Sequence, residues 1–79
     1  MNKTFPHYRK YPNNKSYFKV LSMDSFEEIH VIGLKYFFTK VEAKILPDRN
    51  LIADMIEASA NWIEIEESEY AEILKHVGP

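Results

Sequence analysis

Apolar and polar residues alternate along the first half of the chain with the period of two that is typical of β-strands. Segments 8–11 and 15–22 are rich in aromatic residues and flank the turn-forming sequence YPNN at 11–14. In that turn proline fixes one backbone dihedral and asparagine tolerates the next, so a β-hairpin is predicted. β-branched residues in 26–32 predict a third strand, and Gly33 permits a tight reversal into a fourth.

The clearest alternation runs from residue 35 to residue 46. Every second position from Phe37 to Ile45 is apolar or small and would lie on one face, whereas positions 40–44 place alternate charged residues on the other. We therefore expect an antiparallel sheet with one buried face and one face that is largely wet.

The hydrophobic period changes to that of a helix after Asp48. Apolar residues then recur at helical spacing and predict a helix over 49–58 that covers the buried face. They are Leu51, Ile52, Met55 and Ile56. The carboxylate of Asp48 would cap the first amides of this helix.

The last part of the chain predicts a short strand followed by a second helix. Residues 62–65 alternate as a strand, and apolar residues recur at helical spacing over 70–77. Glu66 at the N-cap position and Glu69 three residues later would form a capping box, and Gly78 would end the helix. Helix initiation accounts for these acidic residues better than a metal or catalytic site does.

Together these elements predict a single α+β domain over residues 1–79, with residues 1–6 as a candidate disordered tail. Its sheet is small and mostly antiparallel, with about four strands. One helix packs on one face, and a short strand and a C-terminal helix follow. The expected core contains Phe37, Val41, Ile45, Leu51, Ile52, Met55, Ile56, Ile73 and Leu74.

Composition limits the class of protein. With 79 residues, of which 46% are hydrophobic, the chain can bury one small core and is too apolar for a disordered segment. The absence of cysteine excludes disulfides and thiolate chemistry and suits a reducing compartment. The opening segment lacks the apolar run of a signal peptide, and no segment has the length of a membrane span. A soluble, cytoplasmic protein without a membrane partner is expected.

The net charge of −2 hides an uneven distribution. Residues 1–23 carry five basic residues and no acid, whereas residues 48–79 carry eight acids and two basic residues. The two ends can therefore attract each other, either within one molecule or between two.

No pattern of residues indicates an enzyme. His7, His30 and His76 are too widely spaced for a metal-binding motif, and two glycines do not make a phosphate-binding loop. Glu27 and Glu28 are neighbours in a strand and would point to opposite faces, so this pair cannot form an acid–base site. The expectation is a non-enzymatic protein that holds no metal or cofactor.

Aromatic residues give the strongest indication of a binding surface. Tyr36 and Phe38 lie on the otherwise charged face of the longest predicted strand and form the candidate interaction surface. Packing of these rings against the last strand or the second helix explains them equally well. The preferred hypothesis is an interaction module that binds a protein partner or itself, as a homodimer. In that dimer the basic N-terminal hairpin of one copy would face the acidic C-terminal helix of the other.

The alternative is a nucleic-acid-associated accessory protein. The sequence HYRKY at 7–11 and the lysines that follow combine cations for phosphates with rings that stack on bases. The candidate contacts are Tyr8, Arg9, Lys10, Tyr11, Lys15 and Lys19. The net acidity of the chain favours the first hypothesis, as does the use of charged residues to guard an edge strand.

Overall fold

The computed structural model describes residues 5–57 and 62–77. The strands are β1 (His7–Lys10), β2 (Ser16–Ser22), β3 (Ser25–Ile32), β4 (Lys35–Glu42) and β5 (Ile63–Glu64), and the helices are α1 (Leu46–Glu57) and α2 (Glu67–Leu74). Neighbouring strands all pair antiparallel, in the order β4-β3-β2-β1-β5. The α+β class, the antiparallel sheet and the order of elements predicted from the sequence are confirmed.

Two of the three turns that join β1 to β4 contain a residue with a positive φ. Between β1 and β2, Asn14 has a positive φ of 60°, and the Asn13 carboxamide oxygen accepts a hydrogen bond from the Lys15 N–H at 2.9 Å. Between β3 and β4, Gly33 has a φ of 60°. Asparagine and glycine are the residues that adopt this left-handed conformation most readily, so both turns form where the sequence predicts them.

Helices cover the centre of the sheet on both faces. The α1 core is formed by Phe18, Val20, Phe26, Ala43, Ile52, Met55 and Trp62. The α2 core, on the opposite face, is formed by Tyr17, Ile29, Ile65 and Tyr70. The expectation of one largely wet face is therefore wrong here. Consecutive residues of a strand point to opposite faces, and β2 carries buried rings at both Tyr17 and Phe18.

The junction between β4 and α1 lies earlier than predicted. β4 ends at Glu42 instead of residue 46, and α1 begins at Leu46. Asp48 lies in the first turn of the helix and does not cap it. The first turn of a helix accepts proline because its N–H groups have no helical partners, so Pro47 belongs to α1.

The predicted core is confirmed in part. Ile52 and Met55 are fully buried, and Val41, Leu51, Ile56 and Ile73 are half-buried. Three predicted core residues are exposed: Phe37, Ile45 and Leu74. The α1 core includes Phe26 and Val41 but not Phe37, because α1 covers only the end of β3 and β4 that lies near the β2–β3 turn.

The N-cap residue of α2 is the predicted one, but the predicted hydrogen bonds of the cap do not form. Glu66 is the N-cap residue, with extended backbone dihedrals, but its side chain makes no cap hydrogen bond. The Glu69 carboxylate instead accepts a hydrogen bond from Lys10 Nζ at 2.9 Å, because β1 brings this lysine to the helix. The predicted capping box is therefore wrong. Residues 1–4, Ala58 and Gly78, on which other predictions fall, lie outside the described residues.

In the described part of the chain, no helix has the length and apolar character needed to cross a membrane.

Candidate interaction surface

β4 forms one edge of the sheet and is its most exposed long strand. Six of its eight residues are exposed, and only Tyr36 and Val41 are half-buried. Within residues 5–57 and 62–77, no strand pairs with its outer side. An edge strand of this length presents a row of unpaired backbone groups to any strand that can approach it.

The hydrogen bonds of β3 show which backbone groups of β4 point outward. The Val31 N–H donates to the Lys15 carbonyl oxygen at 2.8 Å, on the β2 side. Val31 is opposite Tyr36, so this pair is not hydrogen-bonded and the N–H and C=O of Tyr36 point away from β3. The N–H and C=O groups of every second residue of β4 after Tyr36 also point away from β3. We call the outward backbone groups of Tyr36, Phe38, Lys40 and Glu42 the open edge.

Large apolar side chains surround the start of β4. We call Ile32, Leu34, Phe37 and Phe38 the apolar patch; their exposed fractions lie between 42% and 97%. Phe37 is opposite His30 on the α1 face, and Phe38 is opposite Ile29 on the α2 face. Adjacent exposed apolar residues of this kind are typical of interaction sites. The sequence did not reveal Phe37 as exposed, because its alternation with polar neighbours is also that of a core residue.

The two residues predicted as the interaction surface have different environments. Tyr36 is half-buried against the α2 core, and its ring stacks on His76 with 4.9 Å between the ring centroids. Phe38 is 42% exposed. The packing explanation thus applies to Tyr36, and Phe38 is available for a contact with another molecule.

Arg9, a predicted nucleic-acid contact, is buried with 4% of its surface exposed. Its Nε and Nη2 donate to the carbonyl oxygens of Met55 and Ile56 at 2.7 and 3.3 Å. These carbonyls belong to the last turn of α1, where the helix supplies no donors of its own and carries a partial negative charge. The Glu64 carboxylate lies 4.0 Å from Nη1. Arg9 therefore joins β1 to the end of α1.

The lysines of the same segment differ in exposure. Lys10 Nζ lies 2.9 Å from the Glu69 carboxylate, so the basic and acidic ends of the chain meet within one molecule. Lys19 Nζ lies 5.9 Å from the centre of the Tyr8 ring, within the range of a cation–π contact. Lys15 is exposed. Nucleic-acid binding through this segment stays a prediction, which salt-sensitive binding to single strands would test.

The tyrosine rings of the segment pack inside the fold. Tyr8 lies against Tyr70, with ring centroids 5.4 Å apart, and Tyr11 stacks on Trp62 at 4.7 Å. Burial raises the pKa of Tyr8 and, more strongly, that of Tyr70. The Tyr70 hydroxyl donates to the Glu27 carboxylate at 3.3 Å, and this negative charge raises the pKa of Tyr70 further. Both effects keep the buried hydroxyl protonated.

A cavity of about 350 Å³ lies between the β2–β3 turn and the start of α1. Its lining residues are Asp24, Ser25, Glu42, Ala43, Lys44 and Arg49. Ser25 Oγ lies 3.0 Å from the hydroxyl of Ser22, and this lining includes no histidine that could serve as its base. Two acids and two cations line the same space, so the cavity has no dominant charge.

Potential metal ligands are dispersed over the described residues. His30 Nδ1 lies 2.9 Å from the Ser16 hydroxyl and 3.8 Å from the Glu28 carboxylate. Glu28 lies on the α1 face and Glu27 contacts Tyr70 on the α2 face, as their adjacent positions predict. Within residues 5–57 and 62–77, no group of three or more His, Asp or Glu could hold a metal ion.

In comparisons with known proteins, no family model, curated protein or solved structure matches this chain. The geometry of the exposed edge is therefore the basis for a functional argument.

Proposed function

We propose that this protein is a small, non-enzymatic interaction domain that associates with itself through β4. The observation that carries the proposal is the open edge next to the apolar patch. The open edge and two residues of the apolar patch, Phe37 and Phe38, lie on β4, so a partner that pairs with the backbone also covers these two rings. Strand addition at an edge is a common mode of protein recognition.

Burial of the apolar patch, more than pairing of charges, would stabilise the association. Full burial of one large apolar side chain contributes about 1.5–3 kcal/mol, whereas an exposed ion pair contributes about 0–1 kcal/mol. The charges at the N-terminal end are also used within the chain, because Arg9 bonds to the end of α1 and Lys10 bonds to Glu69. A dimer does not need them.

Sedimentation velocity over a range of protein concentrations tests the proposal. The unmodified chain should sediment as a monomer when dilute and as a dimer at high micromolar concentration. Phe38→Ser should raise the dissociation constant by at least about tenfold, because each copy loses one buried ring. Ile63→Ser is the matched control, since Ile63 has an exposed fraction of 40% against 42% for Phe38 but lies on β5, at the other edge of the sheet.

A monomer at every concentration, at low and at moderate salt, would contradict the proposal. Equal weakening by Phe38→Ser and Ile63→Ser would also contradict it, because the contact would then not depend on β4.

A further inference from the structure

We infer that β4 pairs antiparallel with β4 of a second copy, so that two five-stranded sheets join into one sheet of ten strands with Phe38 on the two-fold axis. This inference rests on the proposed self-association and specifies how the two copies meet. The backbone direction, the identity of the side chains and the two-fold symmetry together select the register.

Symmetry restricts the possible registers of two β4 strands. A two-fold axis that makes one continuous antiparallel sheet is perpendicular to that sheet, so each face of one copy continues as the same face of the other. Residues that lie opposite each other must therefore share a face. One residue then lies opposite its own copy, and the axis passes midway between the two. The open edge fixes the hydrogen-bonded residues as Tyr36, Phe38 and Lys40, with Glu42 beyond them.

With the axis at Phe38, the side chains of the two copies complement each other. The two Phe38 rings are opposite each other, and Tyr36 lies opposite Lys40 of the second copy. Aromatic pairs and cation–π contacts are both favourable across neighbouring strands. On the α1 face, Phe37 is opposite the second copy's Thr39. All residues from Lys35 to Val41 find a partner, and no like charges are opposite each other.

The neighbouring registers are less favourable. An axis at Thr39 places the two Lys40 side chains diagonally next to each other on the same face, so their charges repel. An axis at Phe37 leaves only the residues from Lys35 to Thr39 paired and brings Leu34 of the turn into the contact. The Phe38 register pairs residues 35–41 and the Thr39 register pairs residues 36–42, so these two are equally long, and the Phe38 register has the smaller charge repulsion.

Engineered cysteines distinguish these registers, because the chain has no cysteine of its own. Phe37 and Thr39 are exposed in the single chain, so Phe37→Cys and Thr39→Cys leave the core intact. In the Phe38 register these positions form a non-hydrogen-bonded pair with Cα atoms about 4.5 Å apart, which a disulfide can span. Two Thr39 residues would lie about 7–8 Å apart, which is too far.

The experiment mixes equal amounts of the two variants under mild oxidation and identifies the disulfides by mass spectrometry. Random collisions would join unlike chains in half of the products. The Phe38 register predicts that nearly all disulfides join residue 37 of one chain to residue 39 of the other. A second measurement uses the unmodified chain: amide hydrogen exchange at Tyr36, Phe38 and Lys40 should slow as protein concentration rises.

The outcomes separate this inference from the proposed function. A dimer that forms mainly disulfides between two residues 39 would move the axis to Thr39 and overturn the register. A dimer with random disulfides and no slowing of exchange at the open edge would place the contact elsewhere and overturn the strand pairing, with self-association intact. A chain that stays monomeric would overturn both.

Discussion

The two edges of the sheet differ in length and in protection. β4, at one edge, has eight residues, and β5, at the other, has two. The residues on both sides of β5 turn into the core: Trp62 belongs to the α1 core and Ile65 to the α2 core. The chain then enters α2 after Glu66. On β4, Tyr36 near the start of the strand is covered by His76 and Val41 near its end packs against the α1 core, whereas the residues between them are exposed.

This difference shows how one small sheet can have one edge that is protected from further strand pairing and one edge that is available for it. Proteins commonly protect edge strands by making them very short or by covering them, and β5 uses the first device. Charged residues are another device, but on β4 the exposed rings of Phe37 and Phe38 lie between Lys35 and Lys40. The edge at β5 thus depends on contacts within the chain, whereas β4 can gain most from contacts with another molecule.

The largest expected effect concerns the protected edge. Arg9→Met keeps an apolar stem but removes the donors to the carbonyl oxygens of Met55 and Ile56. Each buried acceptor left without a partner costs about 1–3 kcal/mol, so the free energy of unfolding should fall by about 3 kcal/mol. Urea unfolding monitored by far-ultraviolet circular dichroism measures this loss.

Arg49→Met is the matched control for that change. Arg49 is exposed, and its Nε donates to the Ala43 carbonyl oxygen at 3.2 Å in a contact that is only part-buried. Its replacement should cost less than about 1 kcal/mol. Equal losses for the two arginines would show that the buried contact of Arg9 does not stabilise the β1 side of the sheet.

Proline substitutions in β4 test the open edge at the level of the backbone. The Thr39 N–H points to β3, so Thr39→Pro should destabilise the single chain by about 1–3 kcal/mol. The Lys40 N–H points outward, where an edge strand tolerates proline, so Lys40→Pro should cost the single chain less but block its association. Unfolding at low protein concentration and sedimentation at high concentration measure the two effects. Equal destabilisation by both substitutions would contradict the backbone direction derived for β4.

The smallest expected effect involves the contact between α2 and β3. Because the pKa of Tyr70 is raised in the folded chain, its stabilising contribution is complete below the ordinary tyrosine pKa of about 10 and is lost as the pH rises above it. Tyr70→Phe should therefore make stability less sensitive to alkaline pH, at a cost of about 1 kcal/mol near neutrality for the lost hydrogen bond to Glu27. Unfolding curves at several pH values should show it; an unchanged alkaline slope would argue against the raised pKa.

Local features of the fold could be predicted from the sequence, because their causes lie in adjacent residues. The turn at YPNN and the reversal at Gly33 depend on backbone dihedrals that few residues adopt. The register of β3 and β4 follows from that short turn. These features account for most of the antiparallel sheet.

The candidate site was harder to predict, because exposure depends on where distant elements lie. Phe37 has the alternation of a core residue, and only the position of α1 leaves it exposed. Conversely, the sequence predicts Arg9 as a surface cation, whereas in the structure two carbonyl groups of α1 accept hydrogen bonds from it. Amphipathic patterns identify the residues that can be buried, but the packing of helices decides which of them are.

The position of Trp62 gives the protein a built-in optical probe. Its indole is 8% exposed, stacks on Tyr11 and meets Phe18 edge to face, with 5.1 Å between the ring centroids. It precedes β5, four strand spacings or about 19 Å from β4. As the only tryptophan, it determines the emission wavelength, which should shift to the red when the core opens. Fluorescence should therefore follow folding and stay unchanged when two copies meet at β4.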